Sequence, residues 1–287
     1  MPQPDRSQHQ VHQVPTMLPS DVMTLDRYLA LFAPHGGTDI AYCRQHFQRY
    51  VRTKERLLSH WDRARGTRLL DVGAHWLHQA LLYAIDGFEV TAVDLPITFD
   101  LANVQALALA HSIRLLPNAD LERPTALKAL PDDSFDLVLF SEIIEHITFN
   151  PVAMWREIYR LMKPGARLII TTPNYYALRG RAWRWLRFLR GFGGEIEVLA
   201  ILRQNTYAHH WKEYSLRELI YYFCVLSPDF DCIHPYRAEE FEPNYLGKTA
   251  GGLARWIERL IPFLRPDLYL EVELLRKEKG IVVEPSW

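Results

Sequence analysis

The chain has 287 residues, 48% hydrophobic and 23% charged, which is ample apolar material for a large core and rules out wholesale disorder. Its 33 Lys and Arg nearly cancel its 34 Asp and Glu for a formal net charge of -1, which argues against DNA or RNA as the main partner. Three cysteines, Cys43, Cys224 and Cys232, with no Cys-x-x-Cys pair, argue against a disulfide framework and a zinc knuckle and fit a reducing cytoplasm.

Residues 1–20 are rich in Gln, Pro and His and carry too few apolar side chains to offset the entropy of ordering, so they read as a disordered tail. From Asp21 the pattern is helical, with Leu25, Tyr28, Leu29 and Phe32 on one face up to the break at Pro34–Gly37. A second helical run covers Ile40 to Trp61, and together these form a helical cap over 21–64. The period then changes. Short apolar runs at Arg68–Val72, Phe88–Val93, Ile113–Leu116, Phe135–Phe140 and Arg167–Thr171 alternate with helical stretches at Trp76–Ile85, Ile97–His111 and Pro151–Met162. That alternation predicts β-α-β units around a mostly parallel sheet flanked by helices, a doubly wound α/β core over 65–175.

An insertion or lid follows the fifth strand over 176–212, and 213–287 completes the core. Within the insertion, Leu178–Arg190 wound as a helix groups Ala182, Trp185, Leu186 and Leu189 on one side and five arginines on the rest. A solvated helix, a substrate lid and a weakly lipid-binding helix all fit it. Ser215–Val225 and Gly251–Leu264 read as helices, and Phe230–Pro235 and Leu268–Leu275 as strands. The longest apolar run, eight residues from Leu219 to Leu226, is far short of the roughly 20 that span a bilayer.

Ligands of open parallel sheets sit beyond the carboxyl ends of the strands. There the chain places Asp71 at the end of the first strand and Gly73 just past it, Asp94 at the end of the second, Asp120 after the third, and Ser141 and Glu142 after the fourth. Gly73 permits a sharp turn, Asp94 suits a ribose diol, and Asp120 suits an exocyclic amine such as adenine's. Twelve histidines include His75/His78 and His209/His210, but no carboxylate or thiol stands at a diagnostic spacing, so no metal site is expected. Tyr28, Tyr42, Tyr175 and Tyr176 are candidates for an aromatic wall, or equally for core packing.

In order and spacing, the segments around Asp71, Asp94 and Asp120, then LPDDSFDLVLFSEIIEHI (Leu130–Ile147) and IYRLMKPGARLIITTPN (Ile158–Asn174), resemble class I S-adenosylmethionine (SAM) dependent methyltransferases. The resemblance covers about 110 residues and implies a Rossmann-like fold with SAM as cofactor. It implies that Asp71, Gly73, Ala74 and His75 surround the methionine half of SAM, that Asp94 with Leu95 meets the ribose, and that Asp120 with Leu121 meets the adenine. Ser141 and Glu142 would face the sulfonium and the acceptor. The Glu145–His146 pair matches a common family motif whose role is either chemistry or local helix geometry. Glu142, His146 and Tyr175 are the candidate general bases, and the sequence does not choose among them.

One departure stands out: the family usually continues the first motif with glycines at alternate positions, where this chain has His75 and Leu77. Three functions follow as expectations. The first is methyl transfer to a hydroxyl or amine of a small molecule or glycan. The second is intramolecular cyclisation of SAM to azetidine-2-carboxylate and methylthioadenosine, and the third is SAM binding without turnover.

Overall fold

The computed structural model describes residues 23–118, 120–178, 189, 198–204, 206–239 and 247–286. The tail over 1–20 and most of the Leu178–Arg190 helix lie outside them. One sheet contains β1 (Arg68–Val72), β2 (Glu89–Asp94), β3 (Arg114–Pro117), β4 (Phe135–Ser141), β5 (Met162–Pro173), β6 (Phe230–Ala238) and β7 (Asp267–Leu274). Their order is β3-β2-β1-β4-β5-β7-β6. Strands β1 to β5 pair in parallel, and β7 runs antiparallel between β5 and β6. The winding reverses between β1 and β4, which opens a crevice at their carboxyl ends.

The central strands form because they are apolar on both faces, as a sheet covered on both sides demands. Leu69, Leu137, Leu139 and Ile169 face one layer, with Tyr28, Phe32, Phe47 and Leu81. Their neighbours Leu70, Val138, Phe140 and Ile170 face the other, with Trp155, Ile158, Leu219 and Phe223. The first layer comprises α1 (Leu25–Phe32), α2 (Ile40–Leu58), α3 (His78–Ala84) and α4 (Ala102–Ala110), and the second includes α5 (Val152–Leu161) and α6 (Leu216–Leu226). Asp39 caps α2 by accepting from the Tyr42 N–H at 2.9 Å, and Ser215 with Glu218 forms a capping box on α6. A further helix, α7 (Gly247–Leu260), precedes β7. Among the described residues no helix is long and apolar enough to cross a membrane.

Several boundaries differ from expectation. The run Ile97–His111 divides into a single turn at Pro96–Phe99 and α4, because Pro96 starts a turn that closes at Asp100. The last helix ends at Leu260 and Pro262 begins a separate 3-10 turn, since proline lacks the N–H needed to continue. Strand β6 runs past Pro235 to Ala238, with a register shift between Ile233 and Tyr236; its place at the sheet edge tolerates the missing donor.

Gly66 leads into β1 with φ +138°, and a Cβ there would lie 2.1 Å from the Asp136 carboxylate. That carboxylate is held by the Arg68 N–H at 2.9 Å and by Lys163 Nζ at 2.6 Å, so it cannot move aside freely. Gly66→Ala is expected to destabilise the fold by about 2 to 4 kcal/mol. Gly37→Ala, strained at φ +79° but with nothing within 4 Å of the added carbon, is expected to cost only about 1 kcal/mol. Urea unfolding at unchanged m-value checks both; equal midpoints for the two variants would contradict the steric argument.

Candidate functional site

The turn after β1 defines the floor of the site. Gly73, His75 and Leu77 all take left-handed backbone angles, with φ of +77°, +47° and +65°. The alternate positions therefore keep a glycine-like conformation although two of them carry side chains. Val93 O accepts from the Gly73 N–H at 2.8 Å and the Ala74 N–H at 3.1 Å. The Asp94 carboxylate accepts from the His75 N–H and the Leu95 N–H, each at 2.6 Å. Gly73 itself is required by contact: a Cβ there would stand 2.1 Å from Ile143 Cδ1.

Two adjoining cavities open on this turn and share Gly73, Asp94, Ile143, His146 and Tyr207. The first, of about 150 Å³, has apolar walls from Leu95, Leu121, Ile143, Ile147 and Phe149, with Asp120 and Asn118 at its polar end. Asp120 closes a local turn by accepting from the Glu122 N–H, and Asn118 donates to the Asp120 carbonyl. The second, of about 270 Å³, is lined by Asp71, Ala74, His75, Ser141 and Glu142 from the strand ends. Tyr42, Arg49 and Tyr50 from α2, and His78 and Gln79 from α3, complete it.

Polar atoms without partners concentrate around the second cavity. They include Arg49 Nε, Asp71 Oδ2, His75 Nδ1, Gln79 Nε2, Ser141 Oγ and Glu142 Oε1. Buried groups left unpaired are costly, so such a set marks a place built for a polar ligand. Burial, and then the charge of Asp94, push Asp71 up to about 7. Arg49 keeps its charge: burial opposes it, and Glu142, 2.9 Å away, outweighs burial. Burial, and then His210, lower His146 to about 4, and its Nδ1 donates to the His209 carbonyl at 2.9 Å. Glu145 is wholly buried, accepts from Thr172 Oγ1 at 2.9 Å, and is raised well above the carboxylate range by burial and then by Glu142.

Residues 42–223 match the family model described as a methyltransferase domain. The chain belongs to the methyltransferase-domain family. A ubiquinone biosynthesis O-methyltransferase of Xanthomonas oryzae pv. oryzae is 32% identical over 151 residues, 52% of this chain and 56% of that protein. Phosphoethanolamine N-methyltransferase 3 of Arabidopsis thaliana is 29% identical over 122 residues, 42% of this chain and 24% of that protein. The chain thus spans about half of the first and about a quarter of the second. An S-adenosylmethionine dependent methyltransferase from Mesorhizobium loti shares the fold, with TM-score 0.52 at 16% identity over 76% of this chain and 96% of its own. The PH0226 protein of Pyrococcus horikoshii does likewise, with TM-score 0.51 at 16% identity over 80% of this chain and 92% of its own.

In this member of the methyltransferase-domain family, Asp71, Gly73, Ala74, His75, Asp94, Leu95, Asp120, Leu121, Ser141, Glu142 and His146 all line one cavity or the other. Tyr175 lines neither: its N–H donates to the Tyr214 carbonyl at 3.0 Å and its ring packs edge-on against Tyr176. Of the expected aromatic wall only Tyr42 is present. Tyr28 is buried in the core with its hydroxyl donating to the His78 carbonyl, and Tyr176 packs on Phe263. Arg49, Tyr50, Gln79 and Tyr207 were not expected. Nothing in the local pattern of α2 and α3 distinguishes their ligand-facing polar residues from solvated ones. Of the insertion over 176–212, residues 176–178, 189, 198–204 and 206–212 are described, and Tyr207 reaches both cavities.

His75→Gly removes strain at φ +47° but also the stacking of His75 on Trp76, whose rings lie 4.7 Å apart. These effects, each about 1 kcal/mol, are expected to cancel nearly. Leu77→Gly removes a fully buried side chain and is expected to cost about 2 to 4 kcal/mol despite the same relief. Denaturant melts of the two variants check the contrast, and equal losses would show that His75 is a packing residue as well.

Proposed function

We propose that this chain is an S-adenosylmethionine-dependent methyltransferase acting on an oxygen or nitrogen of a small molecule or glycan. The observation that carries the reading is the pairing of an apolar cavity with a polar one at a single strand-end turn. S-adenosylmethionine when bound supplies a methyl group already activated by its sulfonium. Asp71 is the residue to hold its ammonium and Arg49 its carboxylate, since both are buried with a polar atom unpaired. Asp94 stands between the cavities, where a ribose joins the two halves, and Leu95, Leu121 and Phe149 offer an apolar slot for the adenine. The acceptor side falls to Ser141, Glu142 and His146, and Tyr42 and Tyr50 narrow the cavity against water.

The family relatives named for O- and N-methylation support transfer to either nucleophile. One observation favours a second reading: the His75 side chain lines the cavity proposed for the methionine arm. There it would bias that arm toward attack by its own amine. Mass spectrometry of the products separates the readings, because transfer yields S-adenosylhomocysteine and a methylated acceptor, and cyclisation yields methylthioadenosine.

Asp71 titrates above its unfolded value in the folded chain, so its ionisation weakens the fold as pH rises from 3.8 toward about 7. A ligand ammonium captures the ionised form. Affinity for S-adenosylmethionine is therefore expected to rise with pH, by up to about tenfold per unit below neutrality. Asp71→Asn is expected to flatten that slope and to weaken binding by about 2 kcal/mol, the worth of a charge-assisted hydrogen bond. Calorimetry across the pH range checks both, and unchanged affinity and slope would remove Asp71 from the site.

A further inference from the structure

Glu145 and His146 meet His210 at the edge of the two cavities. One ligand atom from each lies within 4.8 Å of the other two. Every outer position of this trio is taken by a group that fixes its orientation. The His209 carbonyl only accepts, so His146 carries its proton on Nδ1, at 2.9 Å. The Glu213 carboxylate, 3.2 Å from His210 Nδ1, fixes the same tautomer in the second ring. Thr172 Oγ1 donates to Glu145 Oε2 at 2.9 Å. What is left is Nε2 of each ring and Glu145 Oε1, each a lone-pair carrier when it holds no proton.

Glu145 is fully buried, and its Oε1 has no hydrogen-bond partner. That oxygen lies 3.7 Å from His146 Nε2. Two acceptors facing one another in a dry place repel unless a cation stands between them. A proton on Glu145, an imidazolium at His210 or a metal ion meets that need, and only the ion draws on all three ligand atoms at once. Carboxylate- or carbonyl-held imidazoles are the usual outer shell of a bound metal.

The second such cluster, His60, His234 and Glu271, makes a useful contrast. Its rings are stacked in parallel at 4.0 Å and 7°, so their lone pairs do not converge. Its carboxylate is already met by Arg167 at 2.7 Å and by the Tyr269 hydroxyl at 2.7 Å. A cation already occupies that role.

We propose that Glu145, His146 and His210 bind a divalent transition-metal ion whose open coordination position takes a hydroxyl of the acceptor. Two imidazole nitrogens and one carboxylate oxygen suit Zn²⁺, Fe²⁺, Mn²⁺ or Co²⁺ better than Ca²⁺ or Mg²⁺. Three protein ligands leave at least one position open. His146 lines both cavities, so the ion stands in their wall, and a hydroxyl bound to it becomes more acidic and is oriented for reaction. The assignment of the hydroxyl rests on the methyl-transfer reading; the metal site does not.

The test uses the full chain, stripped with a chelator and titrated with Co²⁺ while its visible d–d absorption is recorded. One equivalent is expected to bind. Glu145→Gln and His210→Ala are expected to weaken binding by more than about 100-fold, and Glu213→Gln, which removes only an outer partner, by about 10- to 100-fold. His60→Ala should leave the titration unchanged. Circular dichroism establishes that each variant is folded, and calorimetry with S-adenosylmethionine reports the neighbouring site independently. Added catechol, a generic hydroxyl ligand, should shift the cobalt band. A wild-type chain without the band, or a band unaltered in both Glu145→Gln and His210→Ala, overturns the site. A band indifferent to catechol overturns its assignment to the hydroxyl. Lost S-adenosylmethionine affinity with intact cobalt binding would instead strike the methyl-transfer reading alone.

Discussion

The site depends on the way Asp94 and Val93, at the end of β2, pin the turn that follows β1. Three alternate residues there sit at positive φ, two of them with side chains that disfavour it. The turn holds because the Val93 carbonyl takes two N–H groups and the Asp94 carboxylate takes a third. Parallel pairing of β1 with β2, Asp71 beside Ala92 and Val72 beside Val93, brings those acceptors to the required height. The sheet register thus stabilises a strained loop, and the loop divides the crevice into its apolar and polar halves.

Charge in the polar half joins distant parts of the chain. Arg49 from the second helix reaches Glu142 at the end of β4, and both are mostly buried. A pair of this kind repays its desolvation only with good geometry and further partners. Here each member keeps an unpaired atom, Arg49 Nε and Glu142 Oε1. The pair is therefore an incomplete network, and a zwitterionic ligand with its own ammonium and carboxylate completes it better than either residue alone does. The ion pair also ties α2 to the sheet, which explains why a helix outside the β-α-β repeat belongs to the binding crevice.

The strands were legible in the sequence because central parallel strands are apolar on both faces and read as short unbroken runs. Asp71, Gly73, Asp94, Asp120 and Ser141 were legible for the same reason, since each stands at or just beyond the end of such a run and strand ends face the crevice. Arg49, Tyr50 and Gln79 were hidden because their place is set by how helices dock, and periodicity reports only that one face is buried. Tyr175 illustrates the converse error. It follows β5 closely enough to suggest the crevice, but Asn174 turns the chain there by donating to the Phe263 and Arg265 carbonyls. The tyrosine ring packs on Tyr176 and lines neither cavity. The cluster of Glu145, His146 and His210 was equally hidden: spacing along the chain cannot register a carboxylate and two imidazoles that meet only through tertiary contact.

The turn Ile144–His146 joins these levels. The Glu145 carbonyl accepts from the Trp211 and Lys212 N–H groups, and His146 holds the His209 carbonyl. The segment that includes Tyr207 is therefore moored to the end of β4 by the same two residues that line or border the cavities. A ligand or ion that favours the moored arrangement stabilises it by mass action, in proportion to its excess over the dissociation constant. Binding and mooring of this wall are then linked. The Glu145–His146 pair has a structural role, holding the segment, and through Tyr207 that segment supplies part of the wall of both cavities.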